Sequence, residues 1–286
     1  MKYINLPEKT TIGVVHKTFF SNLLNHDVGY NIFLPSDYEK SNKKYPVMYW
    51  MHGSGGNESS DIWVAEHIRK HYEANPKLTQ MIVVFINGFE TSGYMNSFDG
   101  SLPIESIIIN ELIPHIDSTY RTAASRTSRV IEGFSMGGYG AFLYAVKYPE
   151  VFCSAVSYSG AFYGCKLRDD TGNYLKWDEV SKYFPEWVEA IYKKDPAFAE
   201  NVSAYYWASE NSDVIRRDVK IRLICGDMDF LFDQNKNMHN HLNETAIPHE
   251  YEILPDVDHN IGMMYEMCGE KGLIFHDKNI LQESEG

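Results

Sequence analysis

The stretch Arg129-Val130-Ile131-Glu132-Gly133-Phe134-Ser135-Met136-Gly137 decides the fold, and apolar residues typical of a helix follow it as far as Val146. It contains G-x-S-x-G directly after the apolar pair Val130-Ile131. We therefore predict that Ser135 lies at a sharp turn from a strand into a helix, where its hydroxyl stands clear of the sheet. The two glycines suit a place where any Cβ would crowd the neighbouring elements. The alternative is a Gly-Ser turn that only lets a helix pack close to a strand.

Strand-like and helix-like runs alternate along the rest of the chain, which predicts a mostly parallel sheet with helices on both faces. The opening third instead predicts antiparallel strands around the turn Asn25-His26-Asp27. Asp61 and Asp233 are predicted helix N-caps, and Pro114 is predicted to interrupt a helix. The predicted strands are 11–20, 30–34, 45–51, 80–86, 129–133, 152–157, 220–225 and 250–254, and the predicted helices are 62–72, 104–118, 136–147 and 234–243.

The length and charge of the chain limit the classes of protein to which it can belong. Its 286 residues suit one α/β domain over 1–286, since a single core grows to roughly 250–300 residues before chains divide. The formal net charge is −13 and no basic cluster is present, so we expect no nucleic-acid partner. No run approaches the ~18 apolar residues of a membrane span, so we expect no membrane partner. The N-terminus has no apolar leader core, and we expect a cytoplasmic protein or a secreted one whose leader is absent here.

The four cysteines favour neither a metal site nor a redox site. Cys153 and Cys225 fall in predicted buried strands, where they act as small apolar residues. Cys165 and Cys268 fall in less regular regions, and their spacing gives a bridge between them no support. Because no C-x-x-C pair exists, a zinc ribbon or dithiol site is not expected. We expect no metal and no cofactor.

A serine hydroxyl becomes a nucleophile only beside a base, which in turn needs an acid to orient it. The predicted strand 220–225 is followed by two candidate acids, Asp227 and Asp229. We favour Asp229, with Asp227 capping the turn as the alternative role. Among eleven histidines, His259 alone combines a position after the last strand with a loop setting, so it is the predicted base.

The loop His52-Gly53-Ser54-Gly55-Gly56 follows the predicted strand 45–51 and is of the HGGG type. We predict that its Ser54 amide and the amide of Met136 form an oxyanion hole. Gly53 and Gly55 let the backbone approach a substrate closely, and His52 holds the loop. The alternative is a flexible glycine-rich surface turn.

Residues 160–213 break the alternation of strands and helices. They are too aromatic for a disordered segment, so we predict a small cap over the carboxyl edge of the sheet. The alternative is an irregular surface excursion with no role.

Several ordered motifs together resemble the esterase D/antigen 85-like putative esterases, a branch of the α/β-hydrolases. The similarity runs from about Tyr30 to the last helix. The resemblance implies an α/β-hydrolase fold, with Asp229 as the acid and Ser54 as a source of an oxyanion amide. It also places Tyr94 at the acyl pocket, at a position where many relatives look like they have tryptophan. The matching segments are 49–56, 112–121, 133–138, 225–230 and the Asp258-His259 loop.

The resemblance implies a serine carboxylesterase, a carboxylic ester hydrolase of the EC 3.1.1 type that works through an acyl-enzyme. Aromatic residues in the predicted cap would suit sugar or phenolic stacking, which favours feruloyl or acetyl esters of plant polysaccharide; core packing is their alternative role. S-formylglutathione hydrolysis, general short-acyl esterase activity and acyl transfer stay open because the family shares one chemistry. A non-catalytic hydrolase-fold binding protein is the remote alternative. The aromatic residues in question are Tyr163, Tyr174, Trp177, Tyr205, Tyr206 and Trp207.

Overall fold

The computed structural model describes residues 2–280 except 10, 165, 166, 170, 185, 187, 188, 190 and 191. Its strands are β1 (Val14–Ser21), β2 (His26–Phe33), β3 (Val47–Met51), β4 (Ile82–Ile86), β5 (Arg129–Phe134), β6 (Ser154–Tyr158), β7 (Lys220–Gly226) and β8 (His249–Leu254). They form one sheet in the order β1-β2-β4-β3-β5-β6-β7-β8. The pairs β1–β2 and β2–β4 are antiparallel, and the other pairs are parallel. The prediction of a mostly parallel sheet with an antiparallel beginning is confirmed.

Helices cover both faces of this sheet because its central strands are apolar on both sides. Every residue of β3, β4 and β6 is buried. Tyr49 and Met51 of β3 pack in one apolar cluster, while Met48 and Trp50 pack in the other. This two-residue alternation between two buried faces is what a parallel sheet between helical layers requires. The helices are Val64–Ala74, Ile104–Ile107, Ile113–Thr119, Met136–Lys147, Trp177–Val180, Pro196–Asn201, Ala204–Glu210, Ser212–Asp218, Phe232–Glu244 and Ile261–Asn279.

Three predicted local features were wrong. Asp61 is not an N-cap: its carboxylate accepts a hydrogen bond from Trp50 Nε1 at 3.0 Å, and the helix begins at Val64. Asp233 lies inside the first turn of Phe232–Glu244 and forms no capping bond. The turn after β1 ends at Asn25, whose φ is 51°, so His26 and Asp27 already pair within β2.

Pro114 does not interrupt its helix in the expected way. A stretch of π-helix, Ile108–Leu112, joins Ile104–Ile107 to Ile113–Thr119. Pro114 is the second residue of the last of these and comes directly after the π-helical stretch. The wider turn before it therefore absorbs the proline without ending the run of helix.

Three cysteines, Cys153, Cys225 and Cys268, are buried and free. Cys268 lies in the helix Ile261–Asn279 rather than in an irregular region, whereas Cys165 lies outside the described residues. The sequence also favours a short helical piece at 187–193, and residues 187, 188, 190 and 191 of it lie outside the described part of the chain. Where the structure describes the chain, each helix is too short or too polar to pass through a lipid bilayer.

Candidate active site

Ser135 connects β5 to the helix Met136–Lys147 with φ 57° and ψ −116°. Such a left-handed conformation costs a non-glycine residue about 1–3 kcal/mol and persists only where its surroundings impose it. Here three backbone hydrogen bonds do so. The Ser135 amide donates to the Tyr158 carbonyl at 2.9 Å, and the Ser135 carbonyl accepts from the amides of Tyr139 at 3.0 Å and Ala161 at 3.1 Å.

The two motif glycines allow this turn to be tight. A Cβ on Gly137 would overlap the backbone carbonyl of Met51, and one on Gly133 would overlap the carbonyl of Gly137. The helix can therefore approach β3 and β5 only because both side chains are absent. This close packing fixes where the Ser135 hydroxyl stands.

The imidazole of His259 lies between Ser135 and Asp229. Its Nε2 is 2.9 Å from Ser135 Oγ, and its Nδ1 is 2.8 Å from Asp229 Oδ2 and 3.0 Å from Oδ1. The three residues follow β5, β7 and β8, whose carboxyl ends meet at one edge of the sheet. Residues distant in sequence are thus brought into a continuous chain of hydrogen bonds.

Asp229 is held as a carboxylate. Burial by itself would raise its pKa, but hydrogen bonds from His259, Ser159 and the Leu231 amide outweigh burial and lower it below the ordinary value. The Leu231 amide donates to Asp229 Oδ1 at 2.7 Å. A charged acceptor that receives Nδ1–H leaves Nε2 free to accept a proton from a hydroxyl.

Asp227 faces elsewhere. Its Oδ1 accepts a hydrogen bond from the amide of Asp256 at 2.8 Å, which ties the loop after β7 to the loop that carries His259. The structure therefore brings Asp229, and not Asp227, to the imidazole.

Two phenylalanine rings enclose the imidazole of His259. Its centroid is 4.5 Å from that of Phe134 and 4.4 Å from that of Phe230. The sequence pattern does not predict this contact of Phe230, although an apolar side chain directly after Asp229 in a loop is a signal for it.

The two predicted oxyanion donors are the backbone amides of Ser54 and Met136. In the described part of the chain, the amides of Ser54 and Met136 donate no hydrogen bond. The neighbours of Ser54 are engaged, since the Gly55 amide donates to the Glu90 carbonyl at 2.6 Å and the Gly56 amide to the Gly53 carbonyl at 3.1 Å. These bonds hold the loop while its central amide stays available to a ligand.

His52 supports this loop from beneath. Its Nδ1 is 2.8 Å from the Gly53 carbonyl, and its Nε2 accepts the amide of Gly88 at 3.0 Å. Burial lowers its pKa to about 4, so the ring is neutral at neutral pH. These contacts agree with the predicted role of His52 in holding the loop.

A cavity of about 600 Å³ opens over Ser135. This volume lies within the usual range for small-molecule sites. Tyr163 and Tyr192 come from the predicted cap segment. Ser54, rather than Gly53 or Gly55, lines the cavity, while Gly53 lies against Phe134 and Ser135. The lining residues are Ser54, Thr91, Gly93, Met95, Ser135, Met136, Tyr139, Ala161, Tyr163, Tyr192, Phe230 and Leu231.

Tyr94 does not reach this cavity, so its predicted contact with substrate is wrong. The side chain is completely buried, and its hydroxyl donates to the His52 carbonyl at 3.1 Å. It fills space left by Gly88 and Gly140, where a Cβ would overlap the ring. Its backbone neighbours Gly93 and Met95 line the cavity instead.

Most aromatic residues predicted to stack on substrate are engaged elsewhere. Of the six, Tyr163 alone lines the cavity. Trp177 is buried against Phe184, and Tyr174 lies under the guanidinium of Arg168. Tyr205 packs against His241, while Tyr206 and Trp207 contact each other. Among the residues that the structure describes, no three His, Cys, Asp or Glu side chains are grouped as metal ligands would be.

Residues 21–260 match the family described as "Putative esterase". The chain belongs to this esterase family. The matched range contains Ser54, Ser135, Asp229 and His259. The chain is 36% identical over 166 residues to "Esterase Rv1288" of Mycobacterium tuberculosis, and the match covers 57% of this chain and 35% of that protein.

A second relative is an "Endo-1,4-beta-xylanase/feruloyl esterase" of Xylanibacter ruminicola, 33% identical over 146 residues, which cover 47% of this chain and 20% of that protein. This member of the esterase family thus spans about a third or less of the length of these two relatives. Its fold matches a solved ferulic acid esterase with a TM-score of 0.77 and 23% identity, over 94% of this chain and 98% of that one. The predicted α/β-hydrolase fold is confirmed.

Proposed function

We propose that this protein is a serine carboxylesterase. The observation that carries the proposal is the hydrogen-bonded chain Ser135 Oγ–His259 Nε2, 2.9 Å, and His259 Nδ1–Asp229 Oδ2, 2.8 Å. A serine at a strained turn, beside a base that is itself oriented by a carboxylate, suits acyl transfer. No cofactor takes part in the proposed chemistry.

In the acylation step, Ser135 Oγ attacks the ester carbonyl carbon while its proton passes to His259 Nε2. The carbonyl oxygen becomes an oxyanion, which the amides of Ser54 and Met136 stabilise. Asp229 stabilises the imidazolium that forms. As the tetrahedral intermediate collapses, His259 protonates the leaving alcohol, and the acyl group stays on Ser135.

In the second step His259 removes a proton from water, and the resulting hydroxide attacks the acyl carbon. A second tetrahedral intermediate forms over the same two amides. Its collapse returns the proton to Ser135 Oγ and releases the carboxylic acid. The cycle therefore regenerates the resting enzyme with one ester bond replaced by an acid and an alcohol.

We propose that the ester substrate carries an aromatic or a short acyl group. Among such esters we favour a feruloyl ester of plant polysaccharide. The cavity supplies Tyr139, Tyr163 and Phe230 as aromatic walls beside Ser135. Aromatic side chains suit a planar phenolic acid. The name of the Xylanibacter relative includes feruloyl esterase, which supports the same choice. We further propose that residues 160–213 form a cap within a single domain, because Tyr163 and Tyr192 reach the cavity from this segment.

Ser135→Ala tests the mechanism. We expect the variant to lose about a thousandfold or more of p-nitrophenyl acetate turnover, since the nucleophile is removed. Ser118→Ala, which truncates an exposed serine, serves as the matched control and should keep normal turnover. A fluorophosphonate probe should label the wild type and not Ser135→Ala. Normal turnover by Ser135→Ala, or absence of labelling in the wild type, would contradict the proposal.

A substrate panel tests the acyl preference. Methyl ferulate, acetylated xylan and S-formylglutathione should be compared on one preparation. We expect the highest kcat/KM with methyl ferulate. A preference of tenfold or more for the thioester would instead favour S-formylglutathione hydrolysis, and a preference for acetylated xylan would favour acetyl esters.

A further inference from the structure

A second cavity of about 280 Å³ adjoins the one over Ser135. Thr91 lines both cavities. The two loops that carry Ser54 and Glu90 contribute lining residues to both cavities, and the bond from the Gly55 amide to the Glu90 carbonyl joins these loops. A single substrate that occupied both cavities would therefore pass Thr91.

The second cavity has an apolar floor and a polar rim. Its floor contains Phe89 and Leu102. On the rim, Asn57 Nδ2, the Glu90 carboxylate and the Thr91 hydroxyl form no hydrogen bond within the described residues. The rim thus offers a donor, an acceptor and a group that can act as either.

Two lining residues of this cavity, Asn5 and Asn87, are held by hydrogen bonds to residues behind them. The Tyr3 carbonyl accepts the Gly29 amide at 2.8 Å and Asn87 Nδ2 at 3.0 Å. Glu58, which is 1% exposed, accepts the Asn5 amide at 2.5 Å and Asn5 Nδ2 at 2.8 Å. A preorganised wall reduces the ordering that a ligand would have to impose.

We propose that this second cavity is a saccharide subsite, which binds a neutral sugar unit of the ester substrate. A sugar has apolar C–H faces, which match the apolar floor of the cavity. Its hydroxyls both donate and accept hydrogen bonds, which matches the polar groups on the rim. Lys2 and Glu90 contribute opposite charges to the lining, which favours a neutral ligand over an ionic one. The inference rests on the proposed esterase function and specifies the substrate class that the esterase prefers.

Asn57→Asp and Glu90→Gln test the subsite. Asn57→Asp removes the free Nδ2 donor but keeps the Oδ1 that accepts the Ser59 amide at 2.9 Å. Glu90→Gln keeps the side-chain shape and the backbone carbonyl that holds Gly55. The readout is kcat/KM for ferulate esterified to arabinose divided by kcat/KM for methyl ferulate. We expect Asn57→Asp to lower this ratio about tenfold, as one lost hydrogen bond to ligand would. We expect Glu90→Gln to lower it about threefold, because the amide oxygen still accepts but without the charge.

Glu244→Gln, at an exposed position in the helix Phe232–Glu244, is the matched control and should keep the wild-type ratio. An unchanged ratio in both test variants would overturn the proposal while leaving the esterase function intact. If the wild type hydrolyses neither ester, the proposed function fails and binding still tests the cavity. Ser135→Ala should bind an arabinose-substituted xylotriose in calorimetry, and adding Asn57→Asp should raise Kd about tenfold. Absent binding, or equal affinity, overturns the subsite.

Discussion

Phe230 packs against the imidazole of His259, with ring centroids 4.4 Å apart, although 68% of the Phe230 surface is exposed. The side chain also lines the cavity over Ser135. It therefore contacts the proposed base on one side and the proposed substrate region on the other. An exposed aromatic ring in this place gains burial when an aromatic ligand enters.

Phe230→Ala should lower kcat/KM for methyl ferulate about tenfold and that for p-nitrophenyl acetate only about two- to threefold, because the smaller acyl group stacks less. Steady-state kinetics on both esters provides the measurement. Phe98→Ala is the control, since Phe98 is 47% exposed and contacts Phe198 outside the cavity lining. Equal losses on both esters would show that Phe230 acts through His259 alone.

Asp229→Asn and Asp227→Asn should separate the two candidate acids. The amide at position 229 cannot stabilise an imidazolium and favours the wrong tautomer, so kcat should fall about 10⁴-fold. At position 227 asparagine keeps an oxygen for the Asp256 amide, and kcat should stay within about threefold. Stopped-flow or steady-state kinetics with p-nitrophenyl acetate distinguishes them. The opposite ranking would assign the acid to Asp227.

Gly137→Ala should destabilise the fold by about 3 kcal/mol, because the new methyl group would overlap the Met51 carbonyl and force backbone movement. Urea unfolding gives the free energy of unfolding. Gly100→Ala is the matched control: its φ is 71° but a Cβ there meets nothing within 4 Å, so it should cost only about 1 kcal/mol. Similar costs at both positions would contradict the close approach of helix and strand.

Features governed by local sequence were predictable. The helix after Ser135 was predicted as 136–147 and runs over Met136–Lys147. The strand before it and the buried strands follow from short patterns of a few residues, and Asp229 and His259 stand out because each comes soon after a predicted strand. The sheet then brings the carboxyl ends of β5, β7 and β8 together whatever the distance between them in sequence.

Features set by distant partners were not predictable. Asp61 has the sequence setting of an N-cap, but its carboxylate accepts a hydrogen bond from the distant Trp50. Tyr94 is buried away from the cavity because Gly88 and Gly140 leave space for its ring. The aromatic residues of the segment 160–213 have different surroundings: Trp177 packs against Phe184, while Tyr163 lines the cavity over Ser135. The type of a residue allows several contacts, and the packing of residues distant in sequence determines which of these contacts forms.

His52 links acid stability to the loop that carries Ser54. Its Nδ1 faces the Gly53 carbonyl and its Nε2 accepts the Gly88 amide, so the ring fits only as the neutral form. Burial lowers its folded pKa to about 4, against about 6.5 in an unfolded chain. Between these values the unfolded chain binds a proton that the folded chain does not. The free energy of unfolding must therefore fall as the pH drops from 6.5 towards 4.

We expect His52 alone to account for a loss of roughly 3 kcal/mol between pH 7 and pH 4. His52→Gln keeps an acceptor for the Gly88 amide but does not titrate, so its free energy of unfolding should fall less steeply with acid. Urea unfolding at pH 4.5, 5.5, 6.5 and 7.5 measures the slope, with His26→Gln, at an exposed histidine, as control. Burial also lowers the pKa of other histidines, and these reduce stability in acid equally in the wild type and in His52→Gln. The difference in slope between the two proteins therefore reports on His52 alone. Identical slopes would show that the His52 ring is protonated without disturbing the loop. The other histidines are His71, His115, His239 and His241.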